Sequence, residues 1–154
     1  MTEINMNQAY PTGPDPRLKP LEILVGTWEV KANHPEVPGP LHGWATYEWF
    51  PGGKFLLART GMNNPDFPAG LMLIGYDEAT GGYIQHYFDS RGLMRDYHLT
   101  LHDKTLTFWR NDPEFSQRFT YTFSDDGNTI NLHLEKARGN APLEHDFDQI
   151  YERV

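Results

Sequence analysis

There is no cysteine among the 154 residues. Disulfides, thiolate nucleophiles and cysteine-bound metals are therefore excluded. Basic residues are few: 13 Lys and Arg stand against 21 Asp and Glu, for a formal net charge of -8. Without a Lys/Arg run, such a surface repels phosphate backbones and anionic headgroups, so neither nucleic acid nor membrane is an expected partner. No apolar run approaches the ~18 residues that a membrane-spanning helix needs. Met1–Pro20 is polar and Pro-containing and lacks the apolar core of a secretion signal, so the expected location is cytoplasmic. Three catalytic signatures are also missing: a Gly-x-Ser-x-Gly elbow, a Gly-rich phosphate loop ahead of a helix, and His-Glu-x-x-His.

Aromatic residues are plentiful, at 14%. The length suits one domain with a sizeable core, and rings can line that core or a pocket within it. Residues 1–16, with Pro11, Gly13, Pro14 and Pro16, read as a flexible N-terminal arm, and 17–154 as a single domain. Residues 17–24 predict one or two helical turns, packed through Leu18, Leu21 and Ile23 or Leu24. From Val25 onward short runs rich in β-branched and aromatic residues alternate with turns. Strands are predicted over 25–32, 42–50, 54–61, 70–77, 82–90, 93–102, 104–111, 116–124, 128–136 and 144–153. Pro51-Gly52-Gly53, Asp77–Gly82, Ser90-Arg91-Gly92, His102-Asp103-Lys104 and Asp125–Asn128 supply hairpin turns. No helix of useful length alternates with the strands, which disfavours an α/β fold. About ten strands joined mostly by hairpins form an antiparallel meander, and closure into an up-and-down β-barrel removes its edges.

Strand residues alternate between two faces. The apolar parity predicts Leu93, Arg95, Tyr97, Leu99 and Leu101 inside on one strand and Leu106, Phe108 and Arg110 on the next. Phe119, Tyr121 and Phe123, then Ile130, Leu132 and Leu134, follow on the next two. Strands 42–50 and 82–90 carry rings on both faces and stay ambiguous: Tyr47 and Trp49 oppose Trp44 and Phe50, and Ile84, His86 and Phe88 oppose Tyr83 and Tyr87. Apolar walls with a few converging polar groups describe a small-molecule pocket. Its candidate lining is Tyr47, Trp49, His86, Arg95, Tyr97, Phe108, Arg110, Tyr121 and His145. An interior Arg95 or Arg110 needs a carboxylate, water or an anionic ligand group, since a dry unpaired charge costs several kcal/mol, roughly. Glu48, Glu135 and Asp148 are candidate internal partners.

His86 and Tyr97 are the acid–base candidates if the barrel is an enzyme. The bland alternative for His86 is a packed imidazole bonded to backbone. His98 and His102 share one strand face, but four residues along a strand separate Cα atoms by roughly 13 Å. With His133 on the same outer surface, these read as solvated residues, and no metal site is expected. Asp125-Asp126-Gly127-Asn128 lacks the spacing of a calcium loop and reads as a turn. Trp44, Phe50 and Trp109 are outer-face rings that either a homodimer interface or the N-terminal arm would cover.

Gly26-Thr27-Trp28 opens the first strand after the helical turn, and Arg153 ends the last strand. This pair resembles the Gly-x-Trp and terminal-Arg signature of the calycin superfamily of lipocalins and fatty-acid-binding proteins. The resemblance implies that Trp28 closes one barrel end with Arg153 packed over its ring. Tyr47-Glu48-Trp49, Gly52-Gly53-Lys54-Phe55, Gly75-Tyr76-Asp77, Thr80-Gly81 and His86–Gly92 are further similar to an uncharacterised bacterial lipocalin-like family, DUF1579-type, over roughly 17–154. A neighbouring resemblance is to nitrobindin, a ten-stranded barrel that holds ferric haem through one His near its C-terminus. It would make haem the cofactor and His145 its ligand. His145 shares parity with Phe147, Gln149, Tyr151 and Arg153, and faces inward if they do; a one-residue slip would reverse it. Three functions stand as expectations: binding of a small hydrophobic or aromatic molecule, haem binding, or a barrel enzyme (cyclase, isomerase or hydrolase) acting on a hydrophobic metabolite.

Overall fold

The computed structural model describes residues 13–154. Ten antiparallel strands form a closed barrel: β1 (Gly26–Asn33), β2 (Leu41–Trp49), β3 (Leu56–Met62), β4 (Gly70–Asp77), β5 (Gly82–Asp89), β6 (Met94–His102), β7 (Thr105–Arg110), β8 (Phe115–Phe123), β9 (Thr129–Arg138) and β10 (Glu144–Arg153). Each strand pairs with its sequence neighbours, and β1 pairs with β10 through Trp28↔Arg153 to Asn33↔Asp148, which closes the ring. Of the expected arm over 1–16, residues 1–12 lie outside the described residues; the Asp15 N–H donates to Gly53 O at 3.0 Å.

One end of the barrel is plugged. Pro16–Leu24 forms a 3₁₀ helix whose N-cap Asp15 accepts from the Arg17 N–H at 3.0 Å. A 3₁₀ helix has three residues per turn, so every third side chain lies on one face. Leu18, Leu21 and Leu24 have that spacing, and all three are fully buried. Trp28 lies beneath them and donates its Nε1–H to Leu24 O at 2.9 Å. The Arg153 guanidinium stacks 4.1 Å from the Trp28 ring centroid and donates to Val25 O, Ile23 O and Gly127 O. Gly26 fits between them because it has no side chain: φ is +139°, and a Cβ would sit 2.5 Å from Arg153 Nη1.

Register settles the ambiguous faces, because residues directly opposed across strands share a face. Tyr83 is opposite Leu99 and Gln85 opposite Tyr97, so the clear alternation of β6 turns Tyr83, Gln85 and Tyr87 inward. Ile84, His86 and Phe88 therefore face out. On β2, Ala45 and Tyr47 are buried and Trp49 packs on the core, while Trp44 is exposed. In β10 a bulge between His145 and Phe147 interrupts the pairing with β9.

Candidate functional site

Among the described residues the plug is the one helix, and it covers one barrel end only. At the plugged end Trp28, Leu56, Ile74, Leu106 and Ile130 are fully buried. At the opposite end Met62, Tyr87, Phe119 and Phe147 are only partly buried. This is the end without the plug, and its inward polar side chains come from the ends of β5, β7 and β9 and the starts of β6, β8 and β10.

Tyr97 anchors this mouth. Its hydroxyl donates to Gln117 Oε1 at 2.6 Å, and its ring lies edge-on to Tyr87 (6.2 Å) and tilted against Phe119 (5.5 Å). Burial pushes the Tyr97 hydroxyl above its ordinary value, against the pull of nearby Arg95 and Arg110. Arg95 lies 5.1 Å from the Phe115 ring and makes no ion pair among the described residues. Arg110 reaches Asp112 at 3.4 Å. The expected partners Glu48, Glu135 and Asp148 are engaged elsewhere, with Arg59, Arg118 and two histidines. Beside Tyr97, the Tyr87 hydroxyl donates to Asp89 at 2.8 Å, and Arg91 pairs with the same carboxylate at 2.7 Å. Burial alone would raise the Asp89 carboxyl, but hydrogen bonds from Arg91 and Tyr87 outweigh it and lower it to about 2.

Deeper in, Tyr47, Tyr121 and Tyr151 are buried together. Desolvation raises all three hydroxyls, Tyr47 to about 12 and the other two further, so the phenols stay neutral over the physiological range. Phe108 is buried, its ring tilted against that of Tyr121 with centroids 4.6 Å apart. Trp49 packs at the plugged end rather than the mouth, beside the tether that joins Asp15 to Gly53.

Two expected pocket residues lie outside. His86 faces solvent and bonds Asp96 at 2.6 Å. It is on the opposite face from Tyr97, so the expected acid–base pair does not form, and the physical reason is the β5–β6 register described above. His145 is also outside. The extra residue Asp146 at the bulge breaks the two-residue period, so parity with Phe147 and Arg153 no longer places His145 inward. It joins His133 and Asp148 on the outer wall. Haem ligation from the lumen therefore has no support from His145. Sequence reading missed this cluster because a bulge leaves no residue signature; it also missed Gln117, which shares the inward parity of Phe119, and Gln85 and Asp89, which only register turns inward.

No family model matches the chain, and no curated protein matches it. Among solved structures, the crystal structure of Rv2717c from M. tuberculosis superposes with a TM-score of 0.63, covering 92% of this chain and 99% of that one at 13% identity. At that identity the likeness shows the fold alone. The chain is a closed ten-stranded antiparallel β-barrel similar in architecture to Rv2717c, plugged at one end and polar and aromatic at the other.

Proposed function

We propose that this is a calycin-like binding barrel that takes a small hydrophobic or aromatic molecule through the mouth opposite the plug. Tyr87, Phe119, Phe147 and, deeper, Phe108 and Tyr121 form the apolar walls. Arg95, Arg110 and Tyr97 bind the polar end, preferably a carboxylate or another anionic group. The observation that carries this reading is Arg95, which makes no ion pair among the described residues, at the unplugged end beside the partly buried rings of Tyr87, Phe119 and Phe147. Pockets of this kind have mostly apolar walls and few polar groups that set orientation. An arginine free of carboxylate partners suits anion recognition, because its planar fork matches a carboxylate. The enzyme reading loses its His86–Tyr97 pair and the haem reading loses His145, so neither gains support from the geometry.

The test has two stages. Native mass spectrometry of freshly purified protein, set against its denatured mass, detects any retained molecule. Anilinonaphthalene sulfonate, an aromatic anion, is then titrated by fluorescence. Saturable binding is expected, weakened about tenfold or more by Arg95→Gln, in line with the loss of a charge-assisted hydrogen bond. The absence of both a retained mass and saturable binding of this dye or a medium-chain fatty acid would overturn the reading.

A further inference from the structure

His133 on β9 and His145 and Asp148 on β10 meet on the outer wall. Asp148 Oδ1 lies 2.9 Å from His133 Nδ1 and 3.0 Å from His145 Nε2. The two imidazoles stack at 4.7 Å with planes 5° apart. All three ligand atoms fall within 4.8 Å of one another. We propose that these residues bind one divalent transition-metal ion of the zinc, nickel or copper class, distinct from the site at the barrel mouth.

The chemistry selects that class. Two imidazole nitrogens and one carboxylate oxygen suit zinc, copper and nickel better than the all-oxygen shells of calcium or magnesium. Zinc–nitrogen and zinc–oxygen bonds of about 2.0–2.2 Å place tetrahedral ligands about 3.3 Å apart. The two nitrogen–oxygen separations are already close to that. The imidazoles are about half exposed and free to rotate into place. Three protein ligands leave at least one position open to water or an outside molecule.

The surroundings support the ligands. His145 reaches this wall because of the bulge at Asp146, a device that re-aims side chains. Glu135, directly across from His145, adds negative charge and is held by two hydrogen bonds from Arg118, at 2.9 and 3.0 Å. His145 and Asp148 also line a groove of about 680 Å³, where β10 runs past the end of β1 and the 34–40 loop begins. The open coordination position therefore has access to a recess large enough for a small molecule.

The test uses untagged protein stripped with chelator. Isothermal titration with zinc chloride should give one site per chain, and copper(II) should give an electron paramagnetic resonance spectrum with nitrogen hyperfine structure from two imidazoles. His133→Ala, His145→Ala and Asp148→Asn should each weaken zinc binding at least about tenfold. His98→Ala, on a different part of the outer wall, should leave it unchanged. All four are exposed or partly exposed, and a thermal melt of each variant confirms folding. No saturable zinc binding tighter than about 100 µM would overturn the proposal. So would binding that survives in both His133→Ala and His145→Ala, since it would belong to other surface histidines. Arg95→Gln should leave zinc affinity intact, which separates failure here from failure of the mouth.

Discussion

The Arg153 guanidinium rests on Trp28 and donates to three backbone carbonyls from the plug and the 124–129 turn. It ties the last strand to the plug and the opposite turn at once. Arg153→Ala removes the cation–π contact and leaves those carbonyls short of a donor, a loss of about 2–3 kcal/mol expected in urea unfolding. Arg153→Lys should recover only part of it, because an ammonium cannot spread over three carbonyls and a ring. Asp89 gives a second expectation at this scale. Its folded pKa, about 2, lies below the ordinary 3.8, so its stabilisation is complete above the unfolded value and is lost as pH falls from 3.8 toward 2. Asp89→Asn should cost at most about 2 kcal/mol at neutral pH and flatten the acid limb of the stability profile. An acid limb identical to that of the parent would show that the Tyr87–Asp89–Arg91 cluster does not stabilise the mouth.

At the scale of elements, the 3₁₀ plug and the β10 bulge decide the two ends. The plug docks through three leucines at period three, all fully buried. Leu21→Ala should lower stability by about 2–5 kcal/mol, the range for truncating a buried leucine. A much smaller loss would mean that the plug closes the barrel without contributing to its stability. The predicted helical turn over 17–24 is met by the 3₁₀ helix Pro16–Leu24. The ten predicted strands match the observed ones within about two residues at their ends, because hairpin turns and β-branched runs are local signals. The bulge is not local in that sense. It is defined by how β10 pairs with β9, and nothing in Glu144-His145-Asp146-Phe147 announces it.

Closure governs the behaviour of the whole molecule. With β1 paired to β10 the sheet has no free edge, so its interior can hold both the tyrosine cluster and the mouth. The cluster gives an alkaline expectation. Tyr47, Tyr121 and Tyr151 ionise far more readily in the unfolded chain than in the barrel, so stability is unaffected below about pH 10 and falls above it. Near-ultraviolet titration should show at least three phenols that ionise only together with unfolding; if all the phenols titrate smoothly before unfolding, the cluster is not sealed from water. Within the described residues no helix is long and apolar enough to cross a membrane.

Sequence alone determined the all-β class, the ten strands and the helical turn, because hydrophobic period and turn residues are short-range properties of the chain; the Trp28–Arg153 pair was implied only by the calycin resemblance of its two end motifs. It also determined the inward parity of Tyr97, Phe108 and Tyr121, where apolar and polar residues alternate cleanly. Only the tertiary structure decided the faces of β2 and β5, where rings occupy both parities and register breaks the tie. It alone turned His86 and His145 outward, the first through pairing with β6 and the second through the bulge. For the same reason it alone brought His133, His145 and Asp148 together: two strands had to lie side by side, and one had to slip by a residue, before their side chains could share a point in space.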